Sequence, residues 1–203
     1  MKELNAIVFD KVKYERELYD FEQMLNAHTS LSESKHILPF FKQNKQISTQ
    51  VAGFLPMFHQ TDQIGFEFDI FGDYKCDLIV GNSQKHTYCF VEFEDASENS
   101  VFIKKSTKYQ PEFASRFEHR YSQIVDWFYK LRYTSSQQLE ERFGSHHIDY
   151  SGLLVIGRDS YLSQPEKRRL VWRHQNLIVD SKRIHIITFD ELLASLKAQP
   201  PRF

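Results

Sequence analysis

The chain is poor in most of what marks a specialised architecture. Its 203 residues hold two cysteines, Cys76 and Cys89, without metal-type spacing, so both read as free thiols in a reducing compartment. Seven glycines are too few for a loop-rich or repeat fold. No apolar run approaches the roughly 18 residues of a spanning helix, and Met1-Lys2-Glu3-Leu4-Asn5 lacks the apolar core of a secretory signal. The expectation is a soluble cytoplasmic protein with no membrane partner. Charge of one sign is missing too. Lys+Arg number 26 against Asp+Glu 27, a net charge of -1, so a nucleic-acid partner would have to be met by a local patch. Gly-rich phosphate loops, a Ser-His-Asp order and zinc motifs are also absent.

What is present is a core. The sequence is 41% hydrophobic with 18 phenylalanines, enough for one domain. Tyr14, Leu18, Phe21 and Leu25 recur at helical spacing. Ser30 and Glu33 form a capping-box pattern for a second helix, reaching about Asn44, and 46–57 reads as ambiguous or extended. Ile64, Phe66, Phe68 and Ile70 alternate as a strand does. Lys75–Val80 and Tyr88–Glu94 then form a hairpin around a polar loop of six or seven residues. A helix is expected from near Pro111, with Tyr121, Ile124, Val125, Phe128 and Leu131 as its apolar stripe. Gly152–Gly157 reads as a buried strand. A basic helix from Pro165, a strand over Ile184–Thr188 and a closing helix from Phe189 follow. The sum is an α/β fold, a mixed sheet with helices packed on it.

The hairpin carries the chemistry. Placing Leu78 against Val91 and Val80 against Cys89 keeps the apolar faces together, with Cys76 meeting Phe93. Asp77 then lies opposite Glu92, with Cβ atoms about 5 Å apart, and Lys75 opposite Glu94. Two opposed carboxylates repel unless a cation, a proton or a basic side chain sits between them. Mg²⁺ or Mn²⁺ would serve, and such a metal can activate water against a phosphodiester. The plain alternative is a pair of carboxylates on a solvated sheet face.

Charge is also ordered along the chain. Phe66–Glu98 holds eight acids and two lysines, and Val101–Tyr133 seven bases and three acids. The second run supplies Lys104, Lys105, Lys108, Arg116 and Arg120 as candidate phosphate contacts. His119, Arg158 and the Lys167-Arg168-Arg169-Arg173 group are further candidates. Solvated faces explain such runs equally well. His146 and His147 read as exposed loop residues, Trp127 as core, and the two thiols as buried and unreactive.

Asp77, Glu92-Phe93-Glu94 and the later helical Gln123 resemble the PD-(D/E)xK nuclease pattern. In order, Cys76–Val80, Phe90–Ala96, Tyr121–Trp127, Val155–Arg158 and Ile187–Leu192 resemble the nuclease domain of Shedu anti-phage defence proteins, over roughly Leu31–Leu196. The resemblance implies a restriction-endonuclease-like α-β-β-β-α-β core over 30–203, after an N-terminal helical extension at 1–29. It implies Mg²⁺-dependent DNA cleavage in prokaryotic defence, and leaves room for a homo-oligomer and a phage-sensing partner. Asp77, Glu92 and the Phe93 carbonyl would hold the metal, Gln123 would complete the site, and Glu33 matches a place where such nucleases carry another acid. One departure stands out. The family lysine two residues after the second acid is replaced by Glu94. Glu94 could bind metal, Lys75 could supply the ammonium from across the hairpin, Lys75 and Glu94 could be an ordinary ion pair, or turnover could be lost with binding kept.

Overall fold

In the computed structural model, residues 4–104 and 109–198 are described. The chain opens with β1 (Asn5–Ala6) and α1 (Lys11–Ala27), the latter capped by the Asp10 side chain on the Lys13 amide. A π-helical turn, Glu33–Ile37, runs into α2 (Leu38–Gln43), and α3 (Lys45–Thr49) follows. Three strands come next: β2 (Gln63–Ile70), β3 (Tyr74–Asn82) and β4 (Thr87–Phe93). A two-rung arm, β5 (Phe102–Ile103) with β6 (Glu112–Phe113), precedes α4 (Ser115–Tyr133) and α5 (Ser136–Phe143). The chain then continues through β7 (Asp149–Val155), α6 (Gln164–Asn176), β8 (Ile178–Val179), β9 (Lys182–Ile187) and α7 (Phe189–Ala198).

Seven strands form one mixed sheet in the order β1-β2-β3-β4-β7-β9-β8. The β2-β3-β4 meander is antiparallel, whereas β4-β7-β9 run parallel. β4, where the pattern switches, is buried along its whole length. Helices cover both faces. Phe117, Ile124, Trp127 and Phe128 of α4 pack with Leu139, Phe143 and Leu170 on one side. Phe21 and Leu25 of α1, Phe41, Ile47, Phe189 and Leu192 pack on the other. The expected mixed α/β sheet flanked by helices is thus observed.

Several local expectations are corrected. The stretch 46–57 is largely helical and turning rather than extended, ending in a 3-10 turn at Pro56–Phe58. Ser30 caps nothing, because Leu31 is drawn into an extended bridge with Ala96 that delays the helix to Glu33. The helix expected at Pro111 begins at Ser115, since Glu112–Phe113 is spent on the arm. The hairpin loop is only 83–86, because pairing continues to Asn82↔Thr87.

Candidate active site

The predicted hairpin register holds: Leu78 pairs with Val91 and Val80 with Cys89. One rung further the ladder gives way to a side chain, and the Asp77 Oδ2 accepts the Phe93 amide at 2.9 Å. A change of facing accompanies it. Leu78 and Val80 lie in one core, but Cys76 lies in the other with Ile79 and Phe90. The expectation that Cys76 shares the face of Leu78 and meets Phe93 is therefore wrong. The neighbouring strand breaks its pattern at the same level. Glu67, flanked by the pairs Phe66↔Leu78 and Phe68↔Cys76, has a φ of 46°, a left-handed conformation unusual for a side-chain-bearing strand residue. Consequently Ile64 and Phe66 pack on one side of the sheet and Phe68 and Ile70 on the other.

This kink delivers the acids to the carboxyl end of β4, the point where antiparallel pairing gives way to parallel. Open α/β sheets place ligand sites at such crevices. Glu92 is 1% exposed. Its Oε1 accepts from Arg120 at 2.6 Å, while its buried Oε2 has no hydrogen-bond partner. The Glu94 carboxylate accepts from Arg120 Nε at 3.0 Å, from Arg116 at 3.1 Å and from the Asp95 amide at 2.9 Å. Glu33 lies 3.7 Å from Arg120, and its amide donates to Asp95 at 2.7 Å. Gln123 accepts from Arg120 at 3.3 Å and donates to the Lys75 carbonyl at 3.3 Å. Glu33, Glu92, Glu94 and Gln123 thus converge on one guanidinium, with Asp77 beside them on β3.

The electrostatics follow from burial and crowding. Burial pushes the Asp77 carboxyl up to about 6, against the pull of the Phe93 amide. Burial first, and the Asp77 charge second, hold Glu92 well above the ordinary carboxylate range. Glu33 is raised by burial, opposed by Arg120. Burial alone would weaken the Arg120 charge, yet Glu92 and Glu94 keep its pKa above the usual value. The buried thiols of Cys76 and Cys89 are likewise raised, so neither supplies a thiolate nucleophile.

Other predicted residues are placed elsewhere. Lys75 does not face Glu94: its strand partner is Asp69, and its ammonium is 3.9 Å from Glu67. Arg116 and Arg120, expected on phosphate, pair with Glu94, Asp95 and Glu92. Arg158 donates to Asp190 and to the Leu25 and His28 carbonyls, joining α7 to the end of α1. His119 is exposed on α4, as is Lys104 before the arm, while Lys105 and Lys108 lie outside the described residues. His146 and His147 are exposed, and Trp127 is fully buried, as expected. Lys42, at the end of α2, bonds Glu67 at 2.8 Å and was not anticipated. Nothing in its local sequence distinguishes it, because the fold alone brings α2 to this end of the sheet.

Among the described residues, no group of three or more His, Cys, Asp or Glu side chains is arranged to hold a metal ion. A smaller donor set is present. The unpartnered Glu92 oxygen beside the raised Asp77 suits a divalent cation of the Mg²⁺ kind, which binds one or two carboxylates and retains waters.

The family model described as Shedu protein SduA, C-terminal, matches residues 30–193. The chain belongs to the Shedu family. A search of curated proteins returned no match. The Shedu match contains every acid of the cluster, from Glu33 to Asp95, and the Arg116 and Arg120 that pair with them from α4. Among the described residues no helix is long and apolar enough to cross a membrane.

Proposed function

We propose that this Shedu chain is a metal-dependent nuclease that hydrolyses DNA phosphodiesters in anti-phage defence. The observation that carries the reading is Glu92, a buried carboxylate with one oxygen on Arg120 and the other unpartnered beside Asp77. A buried acid left half-satisfied costs stability and calls for a function. Asp77, Glu92 and the Phe93 carbonyl would hold Mg²⁺ or Mn²⁺. When bound, such an ion polarises a phosphodiester and lowers the pKa of water. Arg120, already on Glu92 and Glu94, stands in for the absent lysine by offering positive charge to a phosphate. Gln123 positions Arg120 from one turn along α4. The succession helix, three strands, helix, strand supports a restriction-endonuclease-like core.

A second reading has an observation of its own. Arg120 offsets part of the carboxylate charge without any metal, and Glu94 stands where the resemblance expects a lysine, which favours a nuclease fold that binds without turnover. Supercoiled and linear DNA incubated with Mg²⁺, Mn²⁺ or EDTA separates the two. Metal-dependent cutting by the wild type, lost in Asp77→Ala and in Glu92→Ala, is the expected result. A folded wild type that cuts with neither metal would sink the nuclease reading and leave the binding module.

A further inference from the structure

A cavity of about 570 Å³ lies between the β5–β6 arm and α6, outside the carboxylate cluster. Its wall includes Lys104, Tyr109, Arg168 and Trp172. Trp172 is 62% exposed and Tyr109 fully so, whereas the other tryptophan, Trp127, is completely buried. Two exposed aromatics thus line one cavity with the cations Lys104 and Arg168.

The neighbouring cations are already committed. Lys167 pairs with Asp159 at 2.8 Å. Arg169 donates to the Pro111 carbonyl at 2.5 Å and lies over the Phe102 and Phe113 rings. Arg173 makes a two-pronged contact with Glu118 at 2.6 and 2.7 Å. Arg168 and Lys104, by contrast, have no ion pair or hydrogen bond among the described residues. Glu166 also lines the cavity, but one of its oxygens accepts from both the amide and the hydroxyl of Ser163, closing the cap of α6. Glu166 keeps its charge, because Ser163 is neutral, but Lys104, Arg168 and Arg169 outnumber it, so the net charge of the groove is positive, and its large exposed side chains are the aromatic Trp172 and Tyr109.

We propose that this groove binds single-stranded nucleic acid, with bases stacked on Trp172 and Tyr109 and backbone phosphates meeting Arg168 and Lys104. Aromatic faces take unpaired bases regardless of sequence, and flanking cations follow the backbone. A duplex keeps its base faces stacked inside and cannot use such a platform. The groove is also tied to the carboxylates through one helix. Arg169 and Arg173 clamp α6 to the residues leading into α4 and to Glu118 on it, and α4 carries Arg116 and Arg120 to Glu94 and Glu92. The proposal rests on the nuclease reading and deepens it, by naming an unpaired strand as what the protein holds beside its site.

With only two tryptophans, one of them buried, the Trp172 share of the emission is the wild-type signal less that of Trp172→Ala, and it is this share that a strand in the groove can quench. The full chain is titrated in EDTA with oligo-dT, oligo-rU and a DNA duplex of equal length, reading tryptophan emission and fluorescence anisotropy. Single strands are expected to quench the emission. Trp172→Ala is expected to weaken their binding about tenfold, and Arg168→Ala several-fold with a shallower salt dependence. Trp172→Phe should keep most of the affinity, and duplex binding should ignore Trp172. Quenching by oligo-dT alone identifies DNA, and by oligo-rU alone RNA. Unquenched emission in a bound complex, or wild-type single-strand affinity in both alanine variants, overturns the groove. Because EDTA removes catalysis, a chain that cuts DNA yet fails here loses only the groove. One that passes here but never cuts loses only the nuclease.

Discussion

Arg120 does at this site what a metal or a proton would otherwise have to do. Opposed carboxylates demand a compensating charge, and here one guanidinium reaches Glu33, Glu92 and Glu94. Compensation is incomplete, because Glu92 keeps a bare oxygen and the Asp77 carboxyl is pushed up to about 6. The sign follows directly. Between the ordinary Asp value and about 6, the folded state holds a proton that the unfolded chain releases, so stability falls as pH rises through that window. Above it the full penalty of an ionised, buried Asp77 is present. Asp77→Asn should therefore stabilise the metal-free protein by about 1–2 kcal/mol near pH 7.5, a Tm gain of about 2–8 °C, with the gain gone near pH 4. Millimolar Mg²⁺ should raise the Tm of the wild type and leave Asp77→Asn almost unmoved. Thermal melts across pH, with and without Mg²⁺, check both. An Asn variant less stable than wild type at pH 7.5 would show that the carboxylate is fully compensated. At this scale the sequence was half legible: period-two reasoning brought Asp77 and Glu92 together, and the need for a charge between them was foreseen. Which charge it would be was not, because an arginine about 28 residues away folds back only through the packing of α4.

Elements determine how accurately that arginine is delivered. α4 rests on β7 at Gly152, where a Cβ would stand 2.5 Å from Ile124 Cγ2 and 3.1 Å from Phe128 Cζ. The missing side chain is what lets the helix lie this close to the sheet. Gly152→Ala must push α4 outward or distort β7, at a cost of about 1–3 kcal/mol. Cutting activity should fall with it, since Arg116 and Arg120 ride on the same helix. A variant with wild-type Tm would mean that α4 yields at no cost. Periodicity and apolar runs in the sequence found α1, β2, β3, β4, β7, β9 and α7, because each buries either one regular face, as α1 does, or its whole length, as β4 does. It missed the places where the repeat is interrupted. Glu67 takes a left-handed φ, Asp77 trades a ladder rung for its side chain, and Leu31 bridges to Ala96 before any helix begins. The interruptions at Glu67 and Asp77 lie beside the acids, and regular periods cannot encode them.

Over the whole molecule, the acidic and basic runs prove to be partners for each other. Asp73 meets Lys130, Asp95 meets Arg116, and Glu92 and Glu94 meet Arg120. A chain with almost no net charge has folded its opposite blocks together, which composition alone could not distinguish from a phosphate-binding face. The N-terminal helix belongs to the same economy of contacts. Tyr14, Phe21 and Leu25 of α1 are buried against the second core, and the Tyr14 hydroxyl donates to the Leu196 carbonyl at 2.8 Å. Arg158 further fastens the end of α1 to α7. The family match begins at residue 30, yet burying those three side chains is worth about 1.5–3 kcal/mol each, comparable in sum to the 5–15 kcal/mol that holds a domain folded. A chain lacking residues 1–29 should accordingly lose its cooperative melt or precipitate, with apolar dye binding reporting the uncovered Phe41 and Phe189 face. A soluble truncated protein with an unchanged Tm would make α1 an accessory to the nuclease-like body. The packing of Phe21 against both Phe40 and Phe41, with ring centroids 5.5 and 5.4 Å away, makes it part of that body.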